Sequence, residues 1–332
     1  MDIMQTIYAK AKAKPMQVAF PEAESEKILR AAAECHKEGI CRPVLVGDSE
    51  KIAAAAATFG VDIAALRQVN TADEQLVAQV IESYLKDHHE LSEKALKRRS
   101  RDPLYVALMM QATGEVDVTF AGMEHTTGDV ILAGQTIVGL KEGIETVSSI
   151  GIFNIPGYEG SEGSLLGFGD SAVCVDPTAG ELASIAVSAC DTVRSLLDWE
   201  PRCALLSYST CGSGSSEKVD KVVEAVGIAH TLRPELKIDG EFQLDAAIIP
   251  AIAAKKVGRE SAVAGKANII IWPDLNVGNI GVKLVQQFGH ADAYGPMLQG
   301  FAKIVCDCSR SAPVSELVGN VAMSCVRAQE TR

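Results

Sequence analysis

Short apolar runs alternate with amphipathic stretches along most of this chain, and that rhythm predicts strands followed by helices. Gln17–Phe20 is an apolar strand. Pro21 and Glu22 open a helix with Ile28, Leu29, Ala32 and Ala33 on one face. Pro43–Val46 is the next strand, ended by Gly47-Asp48, and Lys51–Phe59 is an alanine-rich helix closed by Gly60. Val116, Val118 and Phe120 alternate with polar residues ahead of Ala121-Gly122. Farther on, Ala172–Val175 reads as a strand, Pro177–Leu197 as a long helix, Ala204–Tyr208 as a buried strand and Ile269–Trp272 as another. Such alternation implies parallel sheets covered by helices.

Two places break the rhythm. Ser148–Gly169 carries Gly151, Gly157, Gly160, Gly163, Gly167, Gly169 and Pro156, which is loop chemistry and marks a domain hinge or active-site rim. Gly295-Pro296 is a second boundary candidate. At the N-terminus Ile3, Met4, Ile7 and Tyr8 fall at helical spacing, with Lys10, Lys12 and Lys14 after them. They read as a short amphipathic docking helix; the alternative is a targeting tag for a protein shell such as a bacterial microcompartment.

Composition narrows the function classes. A chain of 332 residues suggests two domains, and 47% hydrophobic with 22% charged residues suits a globular chain with a full core. A net charge of −12 argues against nucleic acid or an anionic membrane as partner, and any anionic ligand needs a local site against the overall field. No apolar run approaches the ~20 residues needed to span a bilayer, and no signal-peptide core is present. The nine cysteines, an odd count without a CxxC pair, point to a reduced, cytoplasmic protein. The six histidines supply no zinc cluster; His88-His89 reads as solvated surface, and His36, His230 and His290 as ordinary helix or loop residues.

Four loops carry candidate chemistry. Ser209–Ser216 follows a strand and precedes a helix; its Gly and Ser residues suit either a phosphate cradle or an N-cap, with no P-loop lysine after them. Gly122–Asp129 repeats that placement, its Thr-Thr-Gly suiting a cap or an anion. Pro273–Asn279 is read as a loop shaped by Asn276 and Asn279 ahead of a helix. Asp307-Cys308-Ser309-Arg310, with Glu316 about two helical turns on, joins a hydroxyl, a guanidinium and a carboxylate. No histidine is near it in sequence, although folding can bring His125 close.

Taken in order, Phe20-Pro21-Glu22, Leu206–Thr210 with Gly212-Ser213, Asp239-Gly240-Glu241, Gly265–Asn268, Pro273–Asn276 with Gly278-Asn279-Ile280, Gly295-Pro296 with Gln299-Gly300, and Asp307 with Ser309-Arg310 resemble the phosphate acetyltransferase and phosphate butyryltransferase family over nearly the whole chain. The short ethanolamine-utilisation type is nearest in character, from Gly139-Leu140 and Val147-Ser148-Ser149. The resemblance implies a two-domain α/β fold like that of isocitrate and isopropylmalate dehydrogenases, with parallel-rich sheets and an active-site cleft between domains. Residues 1–148 plus 297–332 would form the first domain, and 149–296 the second, through which a homodimer forms.

It also implies reversible transfer of a short acyl group, acetyl first and propionyl or butyryl as variants, between acyl phosphate and coenzyme A, with coenzyme A as substrate and no metal or cofactor. A thiol that loses its proton calls for a base, an acyl oxygen that gains charge calls for a donor, and a departing phosphate calls for cations. By the resemblance Glu316 stands where the family has an aspartate base, Ser309 faces the acyl oxygen and Arg310 holds phosphate. Thr127, Leu132, Ser209, Thr210, Gly212, Ser213, Asn279, Lys283 and Gln287 fall at substrate-binding positions.

The departures are chemical. Leu132 and Gln287 stand where the family has arginines, and Lys283, four residues before Gln287, offers only a point charge in place of a fork. Ser311-Ala312 replaces Gly-Cys, Cys211 a lysine and Ser171 a cysteine. Two other readings stay open: a protein of this fold with impaired or repurposed catalysis that binds coenzyme A or an acyl or phosphate ligand, and a nicotinamide-linked dehydrogenase, against which the missing GxGxxG counts.

Overall fold

The computed structural model describes residues 3–330. They form two compact units: the chain up to Gly139 together with the stretch from Phe301 onward, and Leu140–Gly300.

The first unit opens with α1 (Ile3–Ala13), β1 (Met16–Phe20), α2 (Glu26–Lys37), β2 (Cys41–Gly47), α3 (Ser49–Phe59) and β3 (Arg67–Asn70). It continues with α4 (Glu74–Leu85), α5 (Glu93–Arg99), α6 (Pro103–Ala112), β4 (Val118–Ala121) and α7 (Thr127–Ile137). The second unit is β5 (Ser148–Asn154), β6 (Leu165–Gly169), α8 (Ala179–Leu197), β7 (Arg202–Leu206), α9 (Glu217–Leu232), β8 (Lys237–Phe242), α10 (Leu244–Ile248), α11 (Pro250–Lys256), β9 (Ile269–Ile271), α12 (Leu275–Gly289) and β10 (Asp292–Gln299). The chain then returns to the first unit with β11 (Ile304–Asp307) and α13 (Val314–Ala328).

The first sheet is wholly parallel, in the order β11-β4-β1-β2-β3. Strand β4 lies between β1 and β11, so all four of its residues are buried rather than every second one. Phe20 and Phe120 pack beneath it, ring centroids 5.6 Å apart. Helix α2 starts at Glu26, not at Pro21; residues 21–25 turn, and that turn sends Glu22 inward. Helix α1 does dock, but on α13 of its own unit, where Met4 and Tyr8 border the space beside Gly319. Ile7 and Ala11 of its apolar face are buried there.

The second sheet has the order β10-β5-β6-β9-β7-β8, with β6, β9, β7 and β8 parallel and β5 and β10 antiparallel at one edge. The glycine-rich stretch 148–169 is not a hinge loop. Its ends are two buried strands, and the glycines relieve crowding: a Cβ at Gly151 would lie 2.8 Å from the Phe153 ring. Both expected domain borders fall in the antiparallel pair of β5 and β10, where Ile150 faces Met297. Gly295-Pro296 sits at an irregularity inside β10, between Tyr294 and Met297, rather than in a turn.

Ala172–Val175 is not a strand. Asp170 accepts backbone hydrogen bonds from Ala172 (2.9 Å), Val173 (3.3 Å) and Cys174 (2.6 Å), which curls the segment around its carboxylate. Helix α12 begins earlier than expected, because the Asp274 side chain accepts from the Val277 N–H at 3.1 Å and caps it. Asn276, Gly278 and Asn279 are thus helical. Trp272 stacks on Phe168 with centroids 5.3 Å apart and covers the inner face of α12.

Candidate active site

Adjacent parallel strands release their loops at one edge, and in the first unit β1, β4 and β11 release 21–25, 122–126 and 308–313 there. Glu22, from the first loop, is 5% exposed. Its carboxylate accepts N–H bonds from Gly122 (3.2 Å), Met123 (2.7 Å), Glu124 (3.0 Å) and His125 (2.9 Å), and meets the His125 ring Nδ1 at 2.8 Å. Burial pushes this carboxyl up, but the His125 ring and the backbone donors outweigh it and hold the group below the usual range.

His125 Nε2 lies 3.0 Å from Asp102 Oδ2, while Asp102 Oδ1 caps α6 through the Leu104 N–H at 2.9 Å. The hydrogen bonds to Asp102 and Glu22 raise the imidazole from its ordinary 6.5 to about 10, so it is an imidazolium at neutral pH. The next residues start α7 with a capping box between Thr126 and Asp129. Thr127 donates to Asp307 Oδ2 at 2.6 Å. Asp307 Oδ1 is buried with no partner among the described residues. Burial raises this carboxyl to about 6, against the Thr127 hydrogen bond, with the Glu22 charge adding to the rise and Arg310 opposing it. Gly122, at φ +109°, permits the approach: a Cβ there would sit 2.3 Å from Asp307 Oδ1.

Beyond Asp307 the loop turns on Ser309. Its carbonyl accepts from the Ala312 N–H at 3.0 Å, and its hydroxyl meets Ser311 Oγ at 2.9 Å. Lys27 clamps the loop by donating to the carbonyls of Arg310 and Ala312, both at 2.9 Å. Ser309 and Arg310 remain exposed, and Arg310 Nη2 donates only a long bond, 3.4 Å, to the Glu124 carbonyl. Thr127, Ser309 and Arg310 are therefore brought together around Asp307. Glu316 stands exposed in the first turn of α13, and its carboxylate makes no hydrogen bond or ion pair among the described residues. Leu132 projects from α7, 60% exposed.

In the second unit β7 releases the 207–216 loop over β8. Buried Glu241 accepts from Ser209 Oγ at 2.7 Å and from the Gly212 N–H at 2.8 Å. Thr210 Oγ1 accepts from the Gln243 N–H at 2.9 Å, and Ser213 Oγ from the Thr210 N–H at 2.9 Å. Ser209 and Thr210 are thus buried and spent on the loop itself, whereas Gly212, Ser213 and Cys211 are exposed. Asn279 donates to the Ser171 carbonyl at 3.2 Å. Lys283 and Gln287 are exposed on one face of α12. Alongside this loop, Arg259 holds Asp239 through two bonds of 2.8 and 2.6 Å.

Glu22 and Asp102 were not among the site candidates read from sequence, while Asp307 entered only as the start of its loop and His125 only as a histidine that folding can bring close. A Pro-Glu pair immediately after a buried strand was the available signal, yet it also reads as a helix start. Among the described residues, no group of three or more His, Cys, Asp or Glu side chains is arranged to hold a metal ion.

A family model described as phosphate acetyl/butaryl transferase matches residues 2–325. A phosphate acetyltransferase of Clostridium acetobutylicum is 41% identical over 99% of both chains, and one of Thermoanaerobacterium thermosaccharolyticum is 40% identical over 99% of this chain and 100% of its own. Among solved structures, a phosphotransacetylase from Streptococcus pyogenes shares 35% identity at a TM-score of 0.88, covering 99% of this chain and 98% of its own. A EutD phosphotransacetylase from Staphylococcus aureus shares 32% identity at 0.88, covering 98% of each. Dehydrogenases acting on 4-hydroxythreonine-4-phosphate share the fold, at 12% identity and TM-scores of 0.51 to 0.56.

Proposed function

The chain belongs to the phosphate acetyl/butaryl transferase family, and from that premise we propose that it transfers a short acyl group, acetyl first, reversibly between acyl phosphate and coenzyme A. One observation carries the reading: Ser309 and Arg310 stand exposed on a loop braced by Lys27, beside the start of α7. The unpaired N–H groups and positive end of that helix favour an anion there.

In this reading the coenzyme A thiol gives its proton to Glu316, and the sulfur forms a bond to the acyl carbon. The carbon–oxygen bond to phosphate breaks and phosphate leaves as the anion. Ser309 donates to the acyl oxygen as it gains charge, and Arg310, with N–H groups at the start of α7, holds the phosphate. Coenzyme A is a substrate, and no metal is assigned a role. The exposed Gly212, Ser213 and Lys283 are also proposed as substrate-binding residues; Ser209, Thr210 and Asn279 support them by fixing the loop and helix that present them.

The protein is proposed to act in the cytoplasm as a homodimer formed through the second unit. The apolar stripe Val277, Ile280, Leu284 and Phe288 on α12 supports that assignment. Among the described residues no helix is long and apolar enough to cross a membrane.

The test is thioester formation from coenzyme A with acetyl, propionyl and butyryl phosphate. Thioester is expected with at least acetyl phosphate, and Arg310→Ala should lower kcat/KM by roughly 10²–10³-fold. No thioester with any of the three ends the proposal.

A further inference from the structure

The 122–127 turn is held by far more than a helix start requires. Glu22 alone engages four successive backbone N–H groups, at 2.7 to 3.2 Å, and the His125 ring. The second ring nitrogen reaches Asp102 at 3.0 Å, and Asp102 is itself fixed as the cap of α6. The imidazole thus bridges two elements that are not neighbours in sequence: the turn after β1 and the start of α6.

What this bridge holds is the floor of the proposed site. The Glu124 carbonyl accepts from Arg310, Gly122 lies against Asp307, and Thr127 donates to Asp307. Three of the six residues in the turn therefore touch residues 307 or 310. Arg310 has little else to orient it: its guanidinium is exposed and its bond to Glu124 is long, at 3.4 Å. The other charged groups facing this region are Lys27 of α2, which donates to the Arg310 carbonyl, Asp129 of α7 and Asp307 of β11.

We propose that His125 is a positioning residue for the acyl-transfer site: clamped between Glu22 and Asp102, it fixes the turn that sets Arg310 and Thr127 where the phosphate of the acyl phosphate binds. His125 does not touch the reacting atoms. It acts through the Glu124 carbonyl and the start of α7. Two carboxylates around one imidazolium also keep the cluster from presenting two bare negative charges beneath an anion site, which would repel the substrate. The inference rests on the acyl-transfer reading above.

The experiment compares wild type with His125→Gln, His125→Asn and Asp102→Asn. Initial rates are measured against acetyl phosphate at saturating coenzyme A and against coenzyme A at saturating acetyl phosphate, with melting temperature alongside. A misplaced clamp should lower kcat/KM for acetyl phosphate by about tenfold to a hundredfold. KM for coenzyme A should stay within about twofold of wild type, because only the phosphate end of the site is displaced. Asp102→Asn, which removes only the outer charge, should move the same parameter less and keeps the test decisive where His125→Gln fails to fold. Loss spread equally over both substrates, or no loss at all, overturns the proposal. Wild-type thioester formation tests the family reading separately. Whatever that result, protection of Arg310 from phenylglyoxal by inorganic phosphate reads the clamp directly: protection in wild type that is lost in His125→Gln supports it, and equal protection overturns it.

Discussion

Under the proposed acyl transfer, Leu132 is the residue to test for acyl-group preference. A leucine 60% exposed on α7, five residues after Thr127, gains little from burial, and its side chain is open to replacement without a cavity or a clash. Leu132→Arg should therefore fold as well as wild type. A guanidinium at this point, one turn beyond the start of α7, is long enough to reach toward an anion there, so kcat/KM for acetyl phosphate should rise about tenfold or more, with the ratio of acetyl to butyryl phosphate shifting toward acetyl. An acyl-phosphate panel on the purified variant reads this; an unchanged ratio would place Leu132 away from the acyl group. Titration offers a second check at this scale. The folded-state pKa of His125 is raised from 6.5 to about 10, so its stabilisation is complete below about pH 6.5 and is lost as pH rises through 10. Glu22 is lowered, so its contribution is present above its ordinary 4.5 and is lost in acid. Asp307, raised from 3.8 to about 6, stabilises fully below 3.8 and ceases to do so as pH passes 6. The gap in urea midpoint between wild type and His125→Gln should accordingly be widest near pH 6 and narrow toward pH 10. A gap constant across that range would mean the imidazole is not charged in the folded protein.

At the scale of elements, close backbone approach explains both the stability of the frame and the places where sequence patterns mislead. A Cβ at Gly278 would lie 2.2 Å from the Asp170 carbonyl oxygen and 2.9 Å from Trp272 Cδ1. Gly278→Ala must push α12 off the loop that Asp170 organises, at a cost of about 1–3 kcal/mol or more by overpacking, although alanine is the better helix former. A fall in melting temperature tests it, and a rise would show that α12 moves freely. The same glycine reads in the sequence as loop, because the pairing that needs it lies a hundred residues away at Asp170. Ser148–Gly169 misleads similarly: glycines fitted against Phe153 and neighbouring strands have the composition of a linker. Ala172–Val175 has the apolar content of a strand, yet one carboxylate takes its backbone N–H groups. By contrast, β1, β2, α3 and α8 were legible, since local apolar spacing and caps decide them. In the candidate site Ser309, Arg310 and Thr127 were legible from type and position after strands, while the Glu22–His125–Asp102 bridge joins residues about 20 to 100 apart in sequence, which no local pattern reveals.

For the whole molecule, the question is what covers α12. Its inner face, with Gly278 and Val282, is buried, and Val285 packs against the core around Trp272. Val277, Ile280, Leu284 and Phe288 follow at intervals of three and four, the spacing of a second stripe, and they are 42%, 59%, 50% and 81% exposed. Lone exposed leucines need no explanation, but a continuous apolar stripe ending in a phenylalanine that is four-fifths bare is a liability unless something covers it. A second copy of the same helix is a self-complementary cover, since a two-fold axis sets stripe on stripe with Lys283 and Gln287 along the border. Phe288→Asp places a charge within that contact, at the most exposed apolar residue of the stripe, where it would be desolvated without a partner. Light scattering on a sizing column should report a dimer for wild type and a monomer for Phe288→Asp at micromolar concentration, with circular dichroism unchanged because the side chain leaves no cavity in its own unit. Activity measured on the same samples separates two roles of the helix: a monomer that keeps full turnover means that Lys283 and Gln287 serve their own chain, whereas loss of turnover with assembly means that α12 must be braced by the partner to present them. A wild-type monomer at that concentration would remove the dimer from the proposed function while leaving the site in the first unit untouched.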